Sequence, residues 1–431
     1  MPTSLNLITL GCSKNLVDSE HFLGQLSEID FKIMHDSAEP ADIVVINTCG
    51  FIKDAKEESI ETILQYARAR QEGQVKELVV LGCLSQRYMD ELKAEIPEVD
   101  FWFGARGLED ILKHFANKPH NQIGERFLIS PGHFAYLKIS EGCDRTCSFC
   151  AIPLIRGEAK SRTIESLVAE ATQLARKGVK ELLLIAQDLT YYGYDLEKKS
   201  LLAPLLQQIS EIDGIEWIRL HYAYPKNFPE DVINIMATNP KICKYVDIPL
   251  QHINDKILSD MRRGHDKAMT LGLLEKFKQQ VPGIALRTTL MLGFPGETKE
   301  QFKELMDFVA LVKFDRLGVF TYSPEEGTRA YELPDDVPEK EKQRRANQLM
   351  EMQRKISAEL NQQKIGQTFK VIIDRLEGEY FTGRTEFDSP EVDNEVLVSF
   401  HPCIKVGEFA NVTITSATDF ELFATFEGCG K

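Results

Sequence analysis

The chain has 431 residues, of which 43% are hydrophobic and 27% charged, with a formal net charge of −15 and nine cysteines. These are globular proportions, and at ~150 residues per domain they predict about three domains. They exclude a wholly disordered chain, a collagen-like fibre and a small disulfide scaffold. The longest apolar runs, such as residues 182–186, fall far short of the ~20 residues that cross a membrane.

No basic region followed by an apolar stretch opens the sequence, so no secretory signal is visible and a cytoplasmic location is expected. An odd cysteine count without such a signal argues against a secreted disulfide framework and for metal binding or redox chemistry. The acidic balance disfavours broad nucleic-acid binding, which needs Lys and Arg against phosphate.

Residues 1–128 alternate apolar runs with helical periods. Residues 5–10, 43–46 and 78–81 read as buried strands, and residues 16–29, 55–70 and 87–96 as helices. This predicts an open parallel α/β sheet domain. Residues 129–334 repeat the alternation, with strands predicted at 135–140, 181–186, 217–222, 245–249, 285–292 and 318–322 and helices such as 164–177 and 299–312. Six βα units predict a partial (β/α)6 barrel, since closure takes eight. Residues 335–364 open on the helix-start signal Asp335, Asp336, Pro338 and read as a charged helical connector. Residues 365–431, rich in Val, Thr and Phe with turns at Glu377-Gly378 and Val406-Gly407, predict a small all-β barrel.

Charge is unevenly divided among these regions. Residues 1–128 carry 13 basic and 21 acidic side chains, net −8. Residues 129–364 carry 33 of each, and residues 365–431 carry 5 and 12, net −7. The acidic excess therefore sits on the two modules that flank a neutral centre.

Cys143, Cys147 and Cys150 stand in a C-x3-C-x2-C spacing after the first barrel strand. A loop folded on itself brings three thiolates at this spacing around one iron–sulfur cube, with one iron left open. A zinc site or three chance cysteines is the alternative. Strand ends on this edge of a barrel are where active sites form. Arg156 and Arg162 put cations just past the loop, either to meet a carboxylate or as a solvated basic loop. Gln187, Asp188, Arg219, His221, Gln251 and His252 also end strands; each is a candidate for the barrel mouth or a satisfied structural polar residue.

Cys12, Cys49 and Cys83 are far apart in sequence, yet each directly follows a predicted buried strand. In a parallel sheet these strand ends share one edge, where ligands bind. Gly11, Gly50 and Gly82 beside them permit close backbone approach. The positions suggest a second cluster with an open iron, with buried inert cysteines as the alternative. Cys243, Cys403 and Cys429 fit neither set and read as structural or incidental.

The segment Ser140-Glu-Gly-Cys-Asp-Arg-Thr-Cys-Ser-Phe-Cys-Ala-Ile-Pro153, with Phe149 before its third cysteine, resembles the signature of the radical S-adenosylmethionine superfamily. Gly293-Phe-Pro-Gly-Glu297 resembles that superfamily's cofactor-facing glycine motif, with a plain tight turn as the alternative. With Gly11-Cys-Ser-Lys-Asn-Leu-Val-Asp-Ser-Glu20, Asn47-Thr-Cys-Gly-Phe51, Gly82-Cys83 and Tyr322-Ser-Pro-Glu-Glu-Gly-Thr328, the chain resembles the methylthiotransferase family over essentially its full length.

That resemblance implies an N-terminal methylthiotransferase domain, a radical S-adenosylmethionine barrel and a C-terminal TRAM barrel. It implies two 4Fe–4S clusters. One, on Cys143, Cys147 and Cys150, binds S-adenosylmethionine at its open iron and cleaves it to a 5′-deoxyadenosyl radical. The other, on Cys12, Cys49 and Cys83, carries the sulfur to be delivered. Phe149, Arg156, Arg162, Gly293 and Glu297 are the further cofactor-facing candidates.

Family members modify either a tRNA adenosine or an aspartate of small-subunit ribosomal protein twelve. Lys14-Asn15 resembles the ribosomal-protein branch. The net −7 of the last region independently disfavours tRNA, because it repels phosphate and attracts a basic protein. The expectation is methylthiolation of an aspartate β-carbon on that basic protein, served by an electron donor and performed by a monomer. A tRNA methylthiotransferase and a non-catalytic iron–sulfur protein are the competing readings.

Overall fold

The computed structural model describes residues 2–26, 31–116, 126–426 and 428. Five strands make the first sheet: β1 (Thr3–Thr9), β2 (Phe31–His35), β3 (Ile43–Thr48), β4 (Glu77–Gly82) and β5 (Phe101–Trp102). Their order is β2-β1-β3-β4-β5 and every pairing is parallel. The central strand β3 is buried throughout because helices cover both faces. Val44 and Ile46 meet Ile63 and Ala67 of the helix Lys53–Gln71. Ile43 and Val45 meet Phe22 and Leu23 of the helix Ser13–Leu26.

The sequence pattern missed β2 and β5. Both are edges: β2 is only half-buried and β5 has two residues, so neither shows a sustained apolar run. The helix expected over 87–96 instead spans Cys83–Glu95, so the third cysteine is its first residue. The last residues of the helix expected over 16–29 lie outside the described ones, as does Cys429.

A second parallel sheet follows. It comprises β6 (Phe134–Lys138), β9 (Glu181–Ile185), β10 (Trp217–Leu220), β11 (Ile242–Asp247), β12 (Ala285–Leu292) and β13 (Arg316–Thr321). Its order is β13-β12-β11-β10-β9-β6, a barrel left open between β6 and β13. The short pair β7 (Ser140–Glu141) and β8 (Lys160–Ser161) brackets the loop after β6. The helix Glu339–Gln362 does more than connect. Ala346, Leu349 and Ile356 are buried in the barrel core, so it serves as a covering helix of the sheet.

The last module is a closed five-stranded barrel of β14 (Thr368–Glu377), β15 (Tyr380–Thr385), β16 (Glu395–Ser399), β17 (Phe409–Ala417) and β18 (Glu421–Phe426). It plugs the open barrel from below. Ile218 and Leu220 of β10 face the helical layer, so Trp217 and Arg219 point inward. There Trp217, Cys243 and Tyr245 pack against Ile372, Phe387 and Phe409. Arg219 donates to the carbonyls of Thr385 and Glu386, and Tyr245 donates to Asp393 at 2.8 Å. Arg316 pairs with Asp388, and Arg384 reaches Glu181 at 2.8 Å. Cys243 is therefore a core residue of this seal, and Cys403 is disulfide-bonded. No helix among the described residues is long and apolar enough to cross a membrane.

Candidate functional site

Both cysteine sets come from loops at the C-terminal ends of parallel strands. Cys12 follows β1, Cys49 follows β3 and Cys83 follows β4. Two asparagines tie these loops together. Asn15 donates to the carbonyls of Leu10 and Thr48 at 2.8 and 3.1 Å, and Asn47 donates to the carbonyl of Asn15 at 3.0 Å. The loops approach so closely that a Cβ on Gly11 would lie 2.6 Å from that of Cys49. The Cys143 loop is pinned by its amide to Gly157 and by Ser148 to the carbonyls of Met261 and Asp260.

One cavity of about 510 Å³ is lined by all six of these cysteines. Its walls come from the N-terminal sheet and from the open barrel, so it exists only where the two are docked. Glu325, after β13, fastens that contact by accepting from Arg87 at 2.7 Å and Lys56 at 3.0 Å. Asp18 and Glu141 also share Lys138 and Arg156 across the domain boundary.

Burial sets the state of the sulfurs. It pushes the Cys49 and Cys150 thiols up to about 12 and Cys143 to about 11, and raises Cys83 despite the neighbouring Arg156. Iron binding must therefore displace protons. Among the described residues no three His, Cys, Asp or Glu side chains are close enough to hold a single metal ion. The two sets instead border an open volume, as a multi-iron group requires.

Among the described residues, four buried polar atoms of side chains that line this cavity have no hydrogen-bond partner: Gln187 Oε1, Gln251 Oε1, Arg263 Nε and Glu325 Oε1. Such atoms are costly unless a ligand satisfies them. Gln251 also holds a left-handed backbone, φ 74°, as residues at ligand sites often do. The donor set and these orphaned atoms fit an iron–sulfur group with a polar ligand beside it.

The further candidates divide. Phe149 lines the cavity and packs on the cluster of Met261, Met291, Phe294 and Tyr322. Arg156 lines it too, but is committed to Asp18 (2.7 Å), Glu141 (3.2 Å), Asn15 (2.5 Å) and the Cys83 sulfur (3.3 Å). Arg162, Gly293 and Glu297 do not line it. Arg162 pairs with Glu170 at 2.5 Å. Glu297 accepts from Arg345 at 2.7 Å and from the Gly293 amide at 2.6 Å, which folds the glycine turn onto the covering helix. Of the strand-end polar residues, Gln187 and Gln251 line the cavity. Asp188 holds Arg145 at 2.7 Å, Arg219 and His221 belong to the lower seal, and His252 is fully buried. Tyr222 and Arg263 are wall residues that the sequence did not single out, and Lys14, noted there only for the branch it resembles, lines the cavity too. Arg263 donates to the Cys147 sulfur at 3.3 Å.

Three family models match. The uncharacterized protein family UPF0004 covers residues 4–104, the Radical SAM superfamily 137–309 and the TRAM domain 365–426. The ribosomal protein uS12 methylthiotransferase RimO of Flavobacterium psychrophilum is 56% identical over 421 residues, 97% of each chain. The protein of the same name in Bacteroides thetaiotaomicron is 54% identical over 424 residues, again 97% of each. Among solved structures, the radical S-adenosylmethionine methyltransferase TsrM from Kitasatospora setae, with tryptophan and an S-adenosylmethionine analogue bound, superposes with a TM-score of 0.55. It is 15% identical and the match covers 74% of this chain and 72% of that one, which shows the shared fold. The cobalamin-dependent S-adenosylmethionine radical enzyme OxsB gives 0.53 at 11% identity over 77% of this chain and 54% of that one. The chain belongs to the radical S-adenosylmethionine methylthiotransferase family, in the branch of the ribosomal protein uS12 methylthiotransferases.

Proposed function

We propose that the protein inserts a methylthio group at the β-carbon of an aspartate in ribosomal protein uS12, using two 4Fe–4S clusters. One observation carries the two-cluster reading: six motif cysteines from two domains line a single cavity. Cys143, Cys147 and Cys150 hold the cluster that binds S-adenosylmethionine, and Cys12, Cys49 and Cys83 hold the second. When bound, these groups supply the hydrogen abstraction that an unactivated C–H bond demands and the sulfur that replaces the hydrogen.

The chain's own side chains do the rest. Arg263, beside Cys147, has no carboxylate partner among the described residues and suits the carboxylate of S-adenosylmethionine. Gln187 and Gln251 offer free acceptors to its amino group. Arg156 orients the Cys83 sulfur, and the Glu325 contacts hold the two domains together at the cavity. The barrel cysteines also border a wider outer groove of about 1350 Å³, the face open to an electron donor. The acidic flanking modules suit a basic protein substrate.

The test is anaerobic turnover of the loaded protein with reductant, S-adenosylmethionine and either uS12 or tRNA. The expected result is 5′-deoxyadenosine together with a methylthio mass increase on uS12 alone. Cys143→Ala should abolish 5′-deoxyadenosine, and Cys49→Ala should retain some of it while losing sulfur insertion. A mass increase on tRNA and none on uS12 would overturn the substrate, and normal turnover by Cys49→Ala would overturn the second cluster.

A further inference from the structure

The cavity that both cysteine sets share is cationic, although the whole chain is acidic. Among the described residues, Lys14, Arg145, Arg156 and Arg263 line it, against the one carboxylate of Glu325. Most of these charges are already matched. Arg145 is held by Asp188, Arg156 by Asp18 and Glu141, and Glu325 by Lys56 and Arg87. Two cations are left without a carboxylate among the described residues, Arg263 and Lys14.

Their placement separates their tasks. Arg263 touches the Cys147 sulfur, on the barrel side. Lys14 lies two residues beyond Cys12, in the first turn of the helix Ser13–Leu26, on the side of the N-terminal cysteines. Its ammonium crosses the cavity and stands 3.1 Å from the centroid of the Tyr222 ring, which follows β10 of the barrel. Among the described residues it has no hydrogen bond or ion pair. The ring holds the ammonium in place while leaving its three N–H donors for a ligand.

Resting on the function proposed above, we propose that Lys14 binds the carboxylate of the substrate aspartate and so sets specificity for an acidic side chain. A carbon that gives up hydrogen on one side and receives sulfur on the other must lie between the two cysteine sets. The aspartate carboxylate is bonded directly to that carbon. An ammonium anchored on the N-terminal wall and steered by a barrel tyrosine spans that gap. Entry of an unpaired carboxylate into this half-enclosed space would be opposed by desolvation unless a cation met it. Lys14 meets it with a charge-assisted hydrogen bond, and a neutral isostere at the target position forfeits that bond.

The experiment measures equilibrium binding of recombinant uS12, and of uS12 with asparagine at the target position, to the cluster-loaded protein without reductant. The wild type should prefer the aspartate form about 10- to 100-fold. Lys14→Met should bind both forms alike, with iron content and melting temperature unchanged. Lys14→Arg should keep part of the preference, which guards against a packing defect in the methionine variant. In turnover, Lys14→Met should raise KM for uS12 and leave S-adenosylmethionine binding intact. Retention of the wild-type aspartate preference by Lys14→Met would overturn the role of Lys14. Absence of uS12 binding to the wild type would overturn the substrate itself.

Discussion

Buried histidines show at the scale of single residues how the fold constrains chemistry. Burial pulls His21 and His265 down to about 4 and His252 to about 3. In the unfolded chain each titrates near 6.5. Below that pH the unfolded state takes up protons that the folded state refuses. Their contribution is therefore fully present above about 6.5 and is lost as pH falls, by about 1.36 kcal/mol per pH unit for each histidine. The urea midpoint should fall between pH 6.5 and 5, above the range of ordinary carboxylates. His252→Asn, which can still accept from the Asn254 amide, should flatten that slope by one proton's share. An unchanged slope would exclude His252 as a contributor. None of these three shifts is legible in the sequence, because a histidine's burial depends on what folds over it.

At the scale of elements, the cysteine geometry rests on how tightly β3 and β4 end together. Gly82 closes β4 at φ +107°, and a Cβ there would lie 2.5 Å from the Thr48 carbonyl oxygen. Both the dihedral and the contact forbid a side chain. Gly82→Ala should cost about 1–3 kcal/mol of stability and move Cys83 away from Cys49. Iron bound per chain should fall as well, and a variant that keeps full iron and wild-type melting would refute this account. This part of the site was legible: buried β-branched runs followed at once by Gly-Cys or Asn-Thr-Cys mark strand ends on one sheet edge. Arg156 was legible only as a cation near the loop. Its partners Asp18 and Asn15 stand about 140 positions earlier, and no local period links them. The pairing of Glu297 was hidden for a related reason, since its partner Arg345 lies on a helix that reads in sequence as a mere connector.

Across the whole molecule, the small β-barrel is the floor of the central one. Arg316 and Asp388 are both buried and bonded to each other across that boundary. Asp388→Asn leaves a buried guanidinium without its counter-charge, at a cost of about 3–5 kcal/mol. Melting should show the central and C-terminal barrels losing stability together. Separate transitions, with only the C-terminal one shifted, would show that the two fold independently. The three-part architecture and the open six-stranded barrel were readable from alternating periods. The plug was not, since Arg219 and Arg316, which bond to the C-terminal barrel, look in sequence like ordinary strand charges.

The charge pairs that bridge the modules bear on inheritance. Asp18 with Arg156, Glu325 with Arg87, Glu181 with Arg384 and Arg316 with Asp388 are each split between two modules. A chimera that replaces one module would strand the other half of each pair that module shares, wherever the incoming sequence lacks the counterpart. The three modules are thus bound to change together, and a recombination event that spared the cysteines could still fail at these seams.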